Sequence, residues 1–261
     1  MSYIIAGGAA GKERLALLGS ILNKGTIALM QQLQPAPVSA FLDLGCGGGS
    51  VALDVVRTGY AQEVTGVDFD ATVLQLARGD AEAEGYSNIV FIQGDAAAFL
   101  QQDRFELSYA RFLLSHLSDP SLVLRNLVAS TKPGGLVLVE DVDFPGHFCY
   151  PANEAFARYL EWYQLSARLS AQDPGIGPRL PRMLEEAGLT EVGFDLVQPA
   201  FREGAGKMMA WHTLHKIGGT LLKQQLVTPE ELNDTLDLLK AFTEEEQSII
   251  SLPRIFRVWG R

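Results

Sequence analysis

A strand-like run, Phe41-Leu42-Asp43-Leu44, passes into Gly45-Cys46-Gly47-Gly48-Gly49 and then into the helical pattern SVALDVVRTG. Glycines at such a junction let the backbone turn sharply and let a ligand approach with no β-carbon in its way. A glycine-rich turn alone fits any nucleotide-binding α/β protein. Here Asp43 stands two residues before Gly45, giving acidic-x-Gly-x-Gly-x-Gly. Ser50 occupies the place where the dinucleotide pattern Gly-x-Gly-x-x-Gly needs its last glycine. Asp68 ends the next apolar run, where a carboxylate can accept hydrogen bonds from two ribose hydroxyls, and Asp95 follows the third run at the same crevice.

Other residues have two readings each. His116 lies at the start of an apolar helical stretch, where it either packs and caps or, facing the crevice, acts as a general base. Glu140, Asp141 and Asp143 follow a fifth apolar run, at the sheet edge where open α/β proteins bind ligands. Glu140 is a second candidate base and Asp141 a substrate contact. His212 and His215 share a helical face beside Trp211, so the three form either a substrate-binding group or part of a half-buried helix. Two histidines without a suitable third ligand do not make a metal site, and no metal is expected.

The elements that must position these groups can be read from the spacing of apolar residues. SAFLDLG, VTGVDF, IVFIQGD, FELSYA and GLVLVED are short and rich in Val, Ile, Leu and Phe, as strands covered on both faces are. Helical patterns separate them, opened by Asp70 and by Asp119-Pro120, which predicts successive βαβ units around a parallel sheet. Beyond it, NEAFARYLEWYQLSARLSA places Phe156, Leu160, Tyr163 and Ala167 on one helical stripe. LPRMLEEAGL reads as a short helix, TEVGFDLVQPAF as one strand and RIFRVWGR as another. Thr228-Pro-Glu-Glu231 and Thr243-Glu-Glu-Glu246 each have the form of a capping box.

Composition narrows the partners. In 261 residues, 31 acidic against 21 basic side chains give a net charge of −10, which argues against binding nucleic acid or an anionic membrane through phosphate neutralisation. No apolar run spans a bilayer, no signal peptide is recognisable, and Cys46 and Cys149 form no Cys-x-x-Cys pair, so a reducing, cytoplasmic setting is expected.

FLDLGCGGG, VTGVDFD and VFIQGDAAAF, in that order, resemble the first three motifs of the class I S-adenosylmethionine-dependent methyltransferases. YARFLLSHLSDP, VLVEDVDF and the closing VWGR are similar to the small-molecule members of ubiquinone-biosynthesis and natural-product type. The resemblance implies an α/β fold: a Rossmann-like seven-stranded, mostly parallel sheet with helices on both faces and helical lid insertions. It implies that Gly45, Cys46, Gly47 and Gly49 cradle the methionine end of S-adenosylmethionine, with Asp43 near its amino group. Asp68 would hold the ribose, Phe69 contact the adenine, and Asp95 with Ala96 read its edge. Arg111 would meet the cofactor carboxylate or the substrate, and Tyr3 would reach the carboxylate from a leader. The fourth strand departs from the relatives' Phe-Asp-x-Val pattern, with Phe105-Glu106-Leu107-Ser108 in its place.

The expected organisation is a flap and helix over 1–35 and a cofactor-binding core over 36–145, completed by 174–202 and 244–261. Helical insertions over 146–173 and 203–243 carry Trp162, Tyr159, Tyr163, Met208, Met209 and Trp211, either as a lid over the acceptor or as a surface packed on the sheet or in a homodimer. No Asn/Asp-Pro-Pro-Tyr/Phe or Pro-Cys element of the base-modifying kind occurs. With the acidic charge, that points to methyl transfer to a small or medium organic acceptor. The alternative is a non-catalytic S-adenosylmethionine-binding regulator or scaffold.

Overall fold

The computed structural model describes residues 9–261, with side chains of the first helix described from residue 14 onward. Tyr3 therefore lies outside the described residues. The chain runs α1 (Ala9–Leu33), β1 (Val38–Leu44), α2 (Ser50–Arg57), β2 (Ala61–Asp68), α3 (Ala71–Ala83), β3 (Ile89–Gln93), β4 (Phe105–Arg111), α4 (Pro120–Ser130) and β5 (Thr131–Asp143). There follow β6 (Cys149–Tyr150), α5 (Glu154–Leu169), α6 (Leu180–Glu186), β7 (Gly193–Val197), β8 (Ala200–Phe201), α7 (Met209–Lys223), α8 (Pro229–Glu244), β9 (Ile249–Ser251) and β10 (Arg254–Gly260).

Seven strands make one sheet in the order β3-β2-β1-β4-β5-β10-β7. The first five pair in parallel, and β10 runs antiparallel to both β5 and β7. The chain walks outward from β1 to β3, then returns to lay β4 beside β1. The order reverses there, and a crevice opens at the carboxyl ends of the strands.

The period of two along each strand sorts side chains to opposite faces. On β1, Phe41 packs with α1, α2 and α3, whereas Leu42 and Leu44 pack with α4 and α6. On β5, Leu136 and Leu138 join the first layer, and Val137 and Val139 join the second. The irregular register of β4 between Phe105 and Leu107 puts Phe105 in the second layer and Leu107 and Tyr109 in the first.

Helix starts follow the expected chemistry. Asp70 accepts from the backbone amides of Thr72 and Val73, Asp119 from that of Leu122 with Pro120 in the first turn, and Asn153 caps α5. Thr228 and Glu231 form the reciprocal capping box of α8.

Two sequence expectations are corrected. Thr243 starts no helix: it lies in the last turn of α8, and its hydroxyl donates to the Lys240 carbonyl. The single strand expected over TEVGFDLVQPAF is two, because Pro199 removes a ladder donor. β7 stays in the large sheet, while β8 joins β9 and β6 in a three-stranded sheet. Helices α5, α7 and α8 gather around Phe144, Tyr159, Tyr163 and Leu214 into an apolar cluster beside the sheet. Among the described residues, no helix is long and apolar enough to cross a membrane.

Candidate cofactor and acceptor site

The turn after β1 is held by its own backbone. The amides of Gly45 and Cys46 both donate to the Val67 carbonyl, at 2.7 and 2.9 Å, tying the end of β1 to the end of β2. The Gly47 amide donates to Asp68 Oδ2 at 2.8 Å, and Asp68 Oδ1 accepts from the Asp70 amide at 3.0 Å. Gly49, in the left-handed region at φ 74°, opens α2, and a β-carbon there would come within 2.7 Å of the Phe91 ring. A methyl at Gly48 would meet nothing within 4 Å, so the loop presents bare backbone at that point.

This loop forms one wall of a cavity of about 370 Å³. Asp43, Gly45, Cys46, Gly47, Asp68, Phe69, Arg111 and His116 all line it, whereas Gly49, expected in the same cradle, is not among its walls. A second hollow of about 250 Å³ shares Gly45, Asp68, Phe69 and Leu113 with the first and adds Gly94, Asp95 and Ala96. Asp68 thus stands at the junction of the two hollows.

Electrostatics at the loop end centre on three buried groups. Burial pushes Asp43 up to about 7, opposed chiefly by the nearby Arg111 guanidinium. Arg111 Nη2 donates to Asn23 Oδ1 at 2.9 Å, whereas its Nη1 is buried with no hydrogen-bond partner and lies 3.9 Å from Glu140 Oε2. Asn23 is fixed in turn from α1 by donating to Asp54 Oδ2 and to the Ser50 carbonyl. An orphaned guanidinium nitrogen, a buried carboxyl, bare glycine backbone and an acid at the junction fit a zwitterionic amino acid joined to a nucleoside.

The structure does not bring Glu140 to this cavity. Its carboxylate accepts from Tyr109 Oη at 2.7 Å and lies 2.9 Å from Thr26 Oγ1, with Arg111 behind, and it is 1% exposed. Asp141 points to the opposite face. It accepts from the Ser115 and Val142 amides, at 3.0 and 2.8 Å, and burial raises it to about 6. It fixes the turn that carries His116 without lining the cavity. Trp211, His212 and His215 also stay outside, with the His215 ring stacked on Trp211 at 5.2 Å. Met209 and Thr213, elsewhere on α7, reach the cavity instead.

The far half of the cavity holds residues that sequence reading missed or left undecided. Phe144 and Tyr163 stack at 3.8 Å, and Tyr159 meets Phe144 edge-on at 5.6 Å. His147, not singled out from the sequence, lines the same chamber. Its Nδ1 lies 2.7 Å from the Phe144 carbonyl, an acceptor only, so Nδ1 carries the proton and Nε2 is left with its lone pair. Burial lowers both His147 and His116 to about 4, His116 being supported by Gln172, so both rings are neutral at pH 7. Arg14, also missed, reaches in from α1, and its Nε donates to Thr213 Oγ1 at 3.3 Å. Among the described residues, no group of three or more His, Cys, Asp or Glu is arranged to hold a metal ion.

A parallel sheet with its order reversed between β1 and β4, and a glycine turn facing paired acids at that reversal, defines a class I nucleoside-binding α/β protein of the Rossmann-like type. Residues 37–188 match the methyltransferase domain family, and the chain belongs to that family, whose class I cofactor is S-adenosylmethionine. It is 36% identical over 104 residues to the ubiquinone biosynthesis O-methyltransferase of Serratia proteamaculans, covering 39% of this chain and 42% of that protein. It is 30% identical over 175 residues to the trans-aconitate 2-methyltransferase of Methylobacterium radiotolerans, covering 67% of this chain and 60% of that protein. The chain thus spans about half the length of these curated relatives. A Haemonchus contortus phosphoethanolamine N-methyltransferase 2, solved with phosphomonomethylethanolamine and S-adenosylhomocysteine, shares the fold. Its TM-score is 0.57 at 16% identity, covering 91% of this chain and 52% of that one.

Proposed function

We propose that the protein transfers the methyl group of S-adenosylmethionine to a small or medium organic acceptor held in the far half of the cavity. One observation carries this reading. The chamber walled by Phe144, His147, Tyr159 and Tyr163 is continuous with the hollow lined by the glycine loop, Asp68 and Arg111. A cofactor on the loop and an acceptor among the rings would share one space.

When bound, the cofactor supplies a methyl sulfonium, already an electrophile, so the protein's task is alignment and exclusion of water. Arg111 would hold the cofactor carboxylate through Nη1, and Asp43 its ammonium group. Asp68 would accept from the ribose hydroxyls while still holding the Gly47 amide. Phe69, Asp95 and Ala96 border the adenine. The neutral Nε2 of His147 would accept a hydrogen bond from an acceptor hydroxyl or amine. His116 supports the same chamber from the turn after β4.

The test is turnover: purified protein with methyl-labelled S-adenosylmethionine and a panel of hydroxylated and aminated small molecules. Label transfer with release of S-adenosylhomocysteine is expected for at least one acceptor. Tight cofactor binding with no transfer to any panel member would favour the non-catalytic regulator or scaffold. Absence of cofactor binding would remove the site assignment itself.

A further inference from the structure

The acceptor half of the cavity is apolar and aromatic except for one charge. Arg14 enters it from α1, half-buried, and its guanidinium lies close enough to Tyr159 and Tyr163 to feel both phenols. Among the described residues, no carboxylate lies within ion-pairing distance of it, whereas the other charged residues lining the cavity, Asp43, Arg57, Asp68, Asp70, Asp80 and Arg111, all come from the stretch between β1 and β4, with Arg57 already paired with Asp54 and Glu84. Asp141, which Tyr163 feels, has its oxygens engaged by the Ser115 and Val142 amides. Thr213 Oγ1 accepts from Arg14 Nε, and the same hydroxyl donates to the Met209 carbonyl at 2.8 Å. The guanidinium is thereby aimed from two elements, α1 and α7, with its Nη groups uncommitted among the described residues.

A cation held in an apolar chamber without a counter-ion costs free energy, and the burial of Arg14 lowers its affinity for its own proton. That cost is recovered if a ligand brings the missing negative charge. The guanidinium fork matches the two oxygens of a carboxylate, and the stacked Phe144 and Tyr163 rings suit a flat or apolar body attached to it. One cation with hydroxyl neighbours balances a monoanion. A phosphate dianion would need a second cation, and the acceptor half offers none among the described residues.

We propose that the methyl acceptor bears a carboxylate, and that Arg14, positioned by Thr213, is the specificity-determining residue that binds it. This rests on the methyltransferase reading above. The acid group is an anchor: it places the acceptor's nucleophilic atom between the rings and the cofactor end of the cavity.

The experiment uses the protein saturated with S-adenosylhomocysteine and titrates aryl and alkyl carboxylates by calorimetry. The probes are 4-hydroxybenzoate, 4-hydroxyphenylacetate and octanoate, each paired with its amide, together with phenyl phosphate. At least one acid should bind tenfold or more tightly than its amide. Arg14→Gln should abolish that preference, and Arg14→Lys should recover part of it. Affinity for S-adenosylhomocysteine should change by less than twofold in both variants. Amides binding as well as acids, no binding by any acid, or phenyl phosphate outcompeting every acid would each overturn the proposal. So would an Arg14→Gln variant that loses S-adenosylhomocysteine affinity instead of acid preference, since Arg14 would then belong to the cofactor. Failure of wild-type protein to bind S-adenosylhomocysteine at all would instead strike the underlying methyltransferase reading.

Discussion

Asp43 shows how a binding group can work against the fold that carries it. Its carboxyl is raised to about 7 by burial, above the 3.8 of an exposed aspartate. Between those values the folded chain holds a proton that the unfolded chain has released, so this residue's contribution to stability falls as pH rises from about 4 through 7. Asp43→Asn should therefore stabilise the cofactor-free protein at pH 8, by up to about 4 kcal/mol, and leave it nearly unchanged at pH 4. The same variant should weaken S-adenosylhomocysteine binding. Denaturant melts at the two pH values check the sign, and equal gains at both would refute it. His116 and His147 shift the other way. Lowered to about 4 from 6.5, they favour the folded state above pH 6.5 and lose that contribution as pH falls through 4. His116 and His147 thus contribute to the acid limb of stability, and Asp43, with Asp141, works against the fold as pH rises to neutrality.

At the scale of elements, β5 explains which acids reach the site. Glu140 follows Leu136 and Leu138 onto the face covered by α1, among Tyr109, Thr26 and Arg111, and Asp141 follows Val137 and Val139 to the opposite face. Glu140→Ala would leave Arg111 and Tyr109 facing an empty acceptor in the interior, and a loss on the order of 3 kcal/mol in urea stability is expected. Turnover per folded molecule should fall less than tenfold. A hundredfold fall with stability intact would return Glu140 to the role of base. Much of this was legible in sequence: the five parallel strands, the glycine turn, Asp68 and the caps at Asp70, Asp119 and Thr228 are local patterns with one physical solution. Alternation along GLVLVED could also have sorted Glu140 from Asp141. Arg14, His147 and the choice of Thr213 over His212 depend on how α1, α5 and α7 lie against the sheet edge, and no local pattern records that. Proline broke the one strand that alternation alone would have kept whole.

For the whole molecule, the cavity is walled by segments far apart in the chain: the amino-terminal helix, the loop after β1, the turn after β4, α5, α7 and the approach to β10. A ligand there links parts that otherwise meet only through the sheet. S-adenosylhomocysteine at a hundredfold its dissociation constant should add about 2.7 kcal/mol to stability. Amide hydrogen exchange should slow in α1 as well as in the glycine loop, since Arg111 is held through Asn23. Protection confined to the loop would show that the helix does not share in binding.

Helix α1 carries Thr26 at its buried contact with Glu140 and Arg14 in the acceptor chamber, twelve residues apart on one rod. At the rise of an α-helix that is a lever arm of about 18 Å, so a tilt of about 3° about Thr26 would carry Arg14 roughly 1 Å. Small adjustments around Arg111 and Asn23, near the fulcrum, are therefore magnified at the far end. The rod gives the cofactor end of the cavity mechanical leverage over the acceptor end.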